Sequence, residues 1–173
     1  MLINELKLLI EVIKLKIQIL QIQLRIALLK EKLTVPNLPK SKYIVIHHGG
    51  DNASFYQINE YHKQKWGFKS SLGYYVGYHK FIDYSGQLYI ARQDNEEAAH
   101  CVDSNNPHWW NRNSVGICLQ GNSENEQPTE FQLKTLKQEL DKYDIPVKMH
   151  YEIVSTLCPG KNLINWIKEY RHF

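Results

Sequence analysis

Hydrophobic positions divide the chain into two regions of different period. From Leu2 to about Leu33, Ile3, Leu6, Ile10, Ile13, Ile17, Leu20, Leu24 and Ala27 recur at alternating spacings of three and four, the seam of a heptad helix. A second seam, Leu8, Val12, Leu15, Ile19, Ile22, Ile26 and Leu29, runs down the opposite side, with Lys7, Glu11, Lys14, Gln18, Gln21 and Arg25 between the two. Such a helix is about 48 Å long at 1.5 Å per residue, and two apolar rows on it cannot both stay in water. Residues 2–33 are therefore expected to form a homo-oligomer, the alternative being one row packed on the rest of the chain and the other on a partner. The Ile-rich alternation from Leu15 to Ile26 also fits a strand, but its phase slips at Ile19-Leu20 and would turn half the side chains to the wrong face. The sevenfold repeat over the whole segment favours the helix.

Charges interrupt this segment every few positions, so it is not the roughly 20-residue apolar run of a transmembrane span. Nor does an apolar core precede a small-residue cleavage site, so the expected product has no cleavable signal peptide and is made in the cytoplasm. A place in a membrane interface ranks second, because the polar strips are not rich in Lys and Arg.

Thr34-Val35-Pro36-Asn37-Leu38-Pro39 ends the helix, since proline lacks a backbone donor and drives the preceding residue towards extended geometry. The expected division is a helix over 1–35, a linker over 36–41 and a folded domain over 42–173. Within that domain the pattern predicts strands near 42–48, 75–82, 87–92, 114–120 and 146–150, and helices near 54–66, 129–143 and 161–170. Asp83-Tyr84-Ser85-Gly86 supplies a turn that pairs 75–82 with 87–92 as an antiparallel hairpin. Thr129 with Gln132 makes an N-terminal cap, and Phe131, Leu133, Leu136, Leu140 and Tyr143 then supply an apolar face. The fold class that follows is α/β, a mixed central β-sheet flanked by helices, with the two-faced heptad helix in front.

At 173 residues and 43% hydrophobic content the chain can bury one good core and carry an appendage. Its net charge is only +3 and its basic residues form no stripe, which leaves nucleic-acid binding unsupported. Of three cysteines, Cys101 and Cys118 remain as a possible pair, although Cys118 inside Val115-Gly116-Ile117-Cys118-Leu119 reads better as a buried strand thiol.

The candidate chemistry sits at strand ends. His47 closes the apolar run Tyr43-Ile44-Val45-Ile46, His150 closes Val147-Lys148-Met149, and a short loop can fold Cys158 back before Pro159-Gly160 turns the chain away. Two imidazoles and a thiolate form a three-ligand zinc site with a fourth position open, the mark of a catalytic rather than a structural ion. Taken singly, each of these residues would more readily be a hydrogen-bonded histidine or a small buried thiol. His48, His62, His79, His108 and His172 read as structural or surface histidines.

The surrounding words bind these residues together. Ile44-Val45-Ile46-His47-His48, Gly77-Tyr78-His79, Ala99-His100, Asn113-Ser114-Val115-Gly116-Ile117 and His150 through Thr156-Leu157-Cys158-Pro159-Gly160 occur in the order seen in zinc-dependent N-acetylmuramoyl-L-alanine amidases. From Ser41 to about Tyr170 the chain resembles the family shared by phage lysozyme-type amidases and peptidoglycan recognition proteins, which makes 42–173 the amidase domain. The resemblance implies zinc on His47, His150 and Cys158, with Tyr78 donating its phenol proton towards the carbonyl oxygen or the zinc-bound water. By propensity alone Tyr78 would be a strand aromatic packed on the sheet. Thr156 stands where phage lysozyme-type members often carry a catalytic Lys, and it can donate a hydrogen bond but no charge. Some recycling-type relatives have a carboxylate where this chain has Cys118. His100, Trp109, Trp110 and Asn113 are expected to line the glycopeptide groove, with indole faces against sugar rings.

The function implied is hydrolysis of the amide between N-acetylmuramic acid and L-alanine in peptidoglycan, on a wall reached after lysis, by virion delivery or by unusual export. A mild basic bias would assist approach to an anionic wall. A non-catalytic peptidoglycan-binding module arrayed through its helix is the alternative, and the retained Cys158 argues against it, since binding-only relatives commonly lack this thiolate. A third reading makes the chain mainly an assembly component.

Overall fold

A computed structural model of the chain describes residues 11–23, 25 and 41–171. The chain divides into two compact units, Met1–Leu38 and Pro39–Phe173. In the first, residues 11–23 are helical (α1), as the heptads predict, and both apolar rows are open to solvent: Ile13, Ile17 and Leu20 on one, Val12, Leu15, Ile19 and Ile22 on the other. The seam positions before residue 11 and after residue 25, Leu24, linker residues 36–40 and His172 lie outside the described residues.

The second unit is built on a five-stranded sheet in the order β3-β2-β4-β1-β5. β1 (Tyr43–His48) lies inside the sheet and pairs in parallel with β4 (Ser114–Leu119), the middle strand, and with β5 (Val147–Met149). β2 (Lys80–Ile82) runs parallel to β4, and β3 (Leu88–Ile90) closes the edge antiparallel to β2, which is the expected hairpin. Helices α2 (Phe55–Trp66), α3 (Trp109–Asn113), α4 (Glu130–Leu140) and α5 (Lys161–Arg171) complete the fold, so the mixed sheet flanked by helices is borne out. Among the described residues no helix is long and apolar enough to cross a membrane.

Side-chain alternation sorts the sheet into two faces. Ile44 and Ile46 of β1 with Val115, Ile117 and Leu119 of β4 meet Leu136 and Leu140 of α4 and Leu163 and Ile167 of α5. On the other face, Phe81 and Cys118 meet Phe55 and Ile58 of α2. His47 is paired with Cys118 across β1 and β4, so it projects to the α2 face. His48 points the other way, and its Nδ1 accepts the Ser123 N–H at 3.1 Å.

Both capping boxes form, Ser54 with Gln57 on α2 and Thr129 with Gln132 on α4. The apolar face of α4 needs correction, because Phe131 is 66% exposed while Gln132 and Glu139 are buried. Gln132 is tolerated inside because its amide donates to the Ile82 and Gln120 carbonyls. Glu139 is held by Lys80 at 3.0 Å and by Lys142.

The strand expected over 75–82 also shortens to 80–82. Its first half bends away because Val76 O takes the buried Arg92 Nε at 2.8 Å and Gly77 pairs with Ala99 and with the His62 ring instead of a strand. The stretch around Trp109 and Trp110, to which the pattern assigns no element, is the five-residue helix α3, too short to show a helical period. Cys101 and Cys118 are both free thiols and form no disulfide.

Candidate metal centre

The parallel strands all end at the same edge, the place where open α/β sheets present ligand sites. β1 brings His47 there as its fifth residue. β5 ends one residue before His150, which starts a single 3-10 turn (His150–Glu152) rather than closing the strand. Glu152 fixes that turn by accepting the Met149 N–H at 2.6 Å. The following loop is tied shut where Tyr151 N–H donates to Cys158 O at 2.9 Å and Thr156 Oγ1 accepts the Cys158 N–H at 3.2 Å. Gly160 then turns with φ of 90°, against Ser123 and Glu124 backbone where a Cβ would find no room.

One ligand atom from each of His47, His150 and Cys158 lies within 4.8 Å of the others. The His47 and His150 rings are 4.4 Å apart between centroids, and His47 Nδ1 is 3.7 Å from Cys158 Sγ. A tetrahedral zinc ion with nitrogen at about 2.0 Å and sulfur at about 2.3 Å holds such a pair about 3.6 Å apart. Nδ1 of His150 is buried and makes no hydrogen bond, the one such side-chain atom among the described residues. A buried polar atom without a partner costs about 1–3 kcal/mol, so its retention needs a reason. A cation is a sufficient one, and the donor set fits zinc.

The electrostatics agree. Burial holds His47 well below its usual pKa and brings His150 down to about 4, so both rings are neutral with lone pairs to give. Burial pushes the Cys158 thiol up to about 12, against the opposing pull of the His48 N–H, which donates to Sγ at 3.4 Å. A cation arriving there displaces the thiol proton, as coupled metal binding requires.

Tyr78 stands beside this cluster, its ring 5.2 Å from that of His47. Burial, then the nearby Cys118 and Cys158 thiols, raise its phenol well above the usual value, so it remains a proton donor. Thr156 is partly buried next to Cys158, and its oxygen already accepts the Cys158 N–H. Its own O–H is free to donate.

The four residues expected in the groove are distributed otherwise. Trp109 and Trp110 pack on Tyr43, with ring centroids 6.0 and 5.2 Å away, at the amino end of β1. Four residues of strand, about 13 Å, separate Tyr43 from His47. Asn113 is at that end too, donating from Nδ2 to Trp109 O. His100 does reach the cluster, but it is buried behind His47, with Nδ1 2.9 Å from His47 Nε2. The cleft that opens beside Tyr78 holds about 350 Å3 and is lined by Asp51, Ala53, Gln57, Ile58, Tyr61 and His62. The α2 residues among them, Gln57, Ile58, Tyr61 and His62, carry no motif. Their one signal in the sequence is polar and aromatic residues on a helix that follows directly on the His-His strand.

An α/β domain carrying a His-His-Cys cluster at the carboxyl edge of its sheet is the class of protein defined here. The family model of N-acetylmuramoyl-L-alanine amidases matches residues 37–161, and the chain belongs to that family. The N-acetylmuramoyl-L-alanine amidase LysC from Clostridium intestinale URNW superposes with a TM-score of 0.62 at 31% identity, over 77% of this chain and 86% of its own. Drosophila PGRP-LB superposes with a TM-score of 0.62 at 26% identity, over 77% and 82%. Peptidoglycan-recognition protein SC2 of Drosophila melanogaster is 26% identical over 148 residues, covering 76% of this chain and 74% of its own.

Proposed function

We propose that the chain is a zinc-dependent hydrolase that cuts the amide joining N-acetylmuramic acid to L-alanine in peptidoglycan. The observation that carries this reading is the cluster of His47, His150 and Cys158, one ligand atom of each within 4.8 Å of the others, together with the buried, unpartnered Nδ1 of His150. A bound zinc ion supplies Lewis-acid polarisation of a carbonyl and a nucleophilic water at neutral pH. His47 on β1, His150 on its turn and Cys158 on its tied loop would hold that ion. Tyr78 donates from its phenol to the carbonyl oxygen as negative charge gathers there, and the Thr156 hydroxyl is the second donor. The cleft along α2 receives the stem peptide.

A binding-only reading draws on the likeness to SC2, whose name describes recognition. Cys158 speaks against it, because a pure receptor has no need of a third ligand atom. Mass spectrometry of products from defined muropeptides, with and without chelator, separates the two. Free peptide that disappears with chelator is expected; binding without cleavage by the zinc-loaded protein would establish the receptor.

Residues 2–33 are proposed as a self-association arm, on the ground that both rows of α1 are exposed over 11–23. Solution mass with and without residues 1–35 tests this, and an unchanged monomer would remove it.

A further inference from the structure

His47 turns its two ring nitrogens to different neighbours. Nδ1 faces Cys158 Sγ at 3.7 Å, and Nε2 lies 2.9 Å from Nδ1 of His100. Two neutral imidazole nitrogens at that distance need one proton between them, because two lone pairs repel and two N–H groups collide.

The far side of His100 decides which ring supplies it. His100 Nε2 points at Ser114 Oγ, 3.5 Å away, and that hydroxyl already donates to the Trp110 carbonyl at 2.6 Å. Ser114 Oγ therefore offers its lone pairs to the ring. His100 keeps its proton on Nε2, which makes its Nδ1 an acceptor. His47 must then carry its proton on Nε2, leaving the Nδ1 lone pair for the space it shares with His150 and Cys158.

The fold makes room for this arrangement. Gly116 sits under the His100 ring, and a Cβ there would come within 2.6 Å of Cγ and Cδ2. The backbone that carries the ring is pinned as well, since the N–H groups of His100 and Cys101 both donate to Asn111 Oδ1 at 2.9 Å.

We propose that His100 is a positioning residue for the metal ligand His47, locking it in the Nε2–H tautomer with Nδ1 free to bind, and that it does not contact substrate. The proposal rests on the zinc reading above. The tautomer of a ligating histidine is set by what its other nitrogen meets, and losing such a partner typically weakens metal affinity about 10–100-fold.

Nitrogen-15 imidazole NMR of the full-length metal-free protein is expected to show His47 and His100 both protonated at Nε2. Finding His47 protonated at Nδ1 overturns the proposal, and this holds even if the variants fold poorly. Zinc affinity, measured by competition with a chromophoric chelator, should fall about 10–100-fold in His100→Leu. It should recover most of that loss in His100→Asn, whose amide oxygen can accept the same proton. Gly116→Ala should weaken binding by displacing the ring. Equal affinity in wild type and a folded His100→Leu defeats this role alone, whereas a wild type that binds no zinc defeats the metal reading beneath it.

Discussion

The two ends of strand β1 look alike in the sequence and differ in one respect. At the amino end Tyr43 meets Trp109 and Trp110, and the polar atoms nearby are satisfied, Asn113 Nδ2 by Trp109 O and Ser114 Oγ by Trp110 O. At the carboxyl end His47 meets His100, Tyr78 and His150, and one buried nitrogen is left without a partner. Rings gathered around a strand end build structure when every polar atom is paired, and become a candidate for chemistry when one is withheld. Aromatic richness alone does not separate the two cases.

The sharpest way to break the comparison is to remove a ligand. Cys158→Ser should lower hydrolysis of a defined muropeptide on the order of 10³-fold or more, as expected for losing several kcal/mol of charge stabilisation, with circular dichroism unchanged. Wild-type turnover in that variant would end the zinc assignment. Tyr78→Phe should cost about 10²–10³ in kcat with little change in KM, since its donor serves the developing oxyanion and not the resting substrate.

Acid supplies a third test, aimed at stability. Buried His79 is held at about 4 by desolvation against a usual 6.5, with Nδ1 accepting the Gly116 N–H and Nε2 facing Glu96 O. Its folded pKa is depressed, so below 6.5 the unfolded chain binds the extra proton. The contribution is fully present above about 6.5 and is lost as pH falls towards 4, up to about 3 kcal/mol from this residue. Urea midpoints that stay level across that window would contradict it. The smallest effect belongs to the amino end: Trp110→Ala should cost about 2 kcal/mol of stability for a half-buried ring and leave KM unchanged. A raised KM would return the indole pair to the substrate groove.

How much of this was legible follows from the range of the interactions. β1 and β4 announce themselves by continuous apolar runs, and α4 by its cap, because those signals are local. The three clustered residues His47, His150 and Cys158 were legible through the words around them. Phe131 misled because α4 buries Gln132 and Glu139 through partners on other elements, Ile82, Gln120 and Lys80, that helical period cannot register. Tyr78 lost its strand to Arg92 and Ala99, and His100 acquired its place from Gly116 and His47, 16 and 53 positions away. Chemistry carried by such distant pairings leaves no periodic trace.

Gly116 carries a lesson for redesign. A glycine inside a central strand invites replacement, because alanine or valine would stiffen the unfolded chain less loosely and suit a pleated sheet better. Here the missing methyl is the seat of an imidazole, so a library ranked by strand preference would discard the working sequence in favour of one that has evicted it. Strand preference and the packing of this ring part company at this single position.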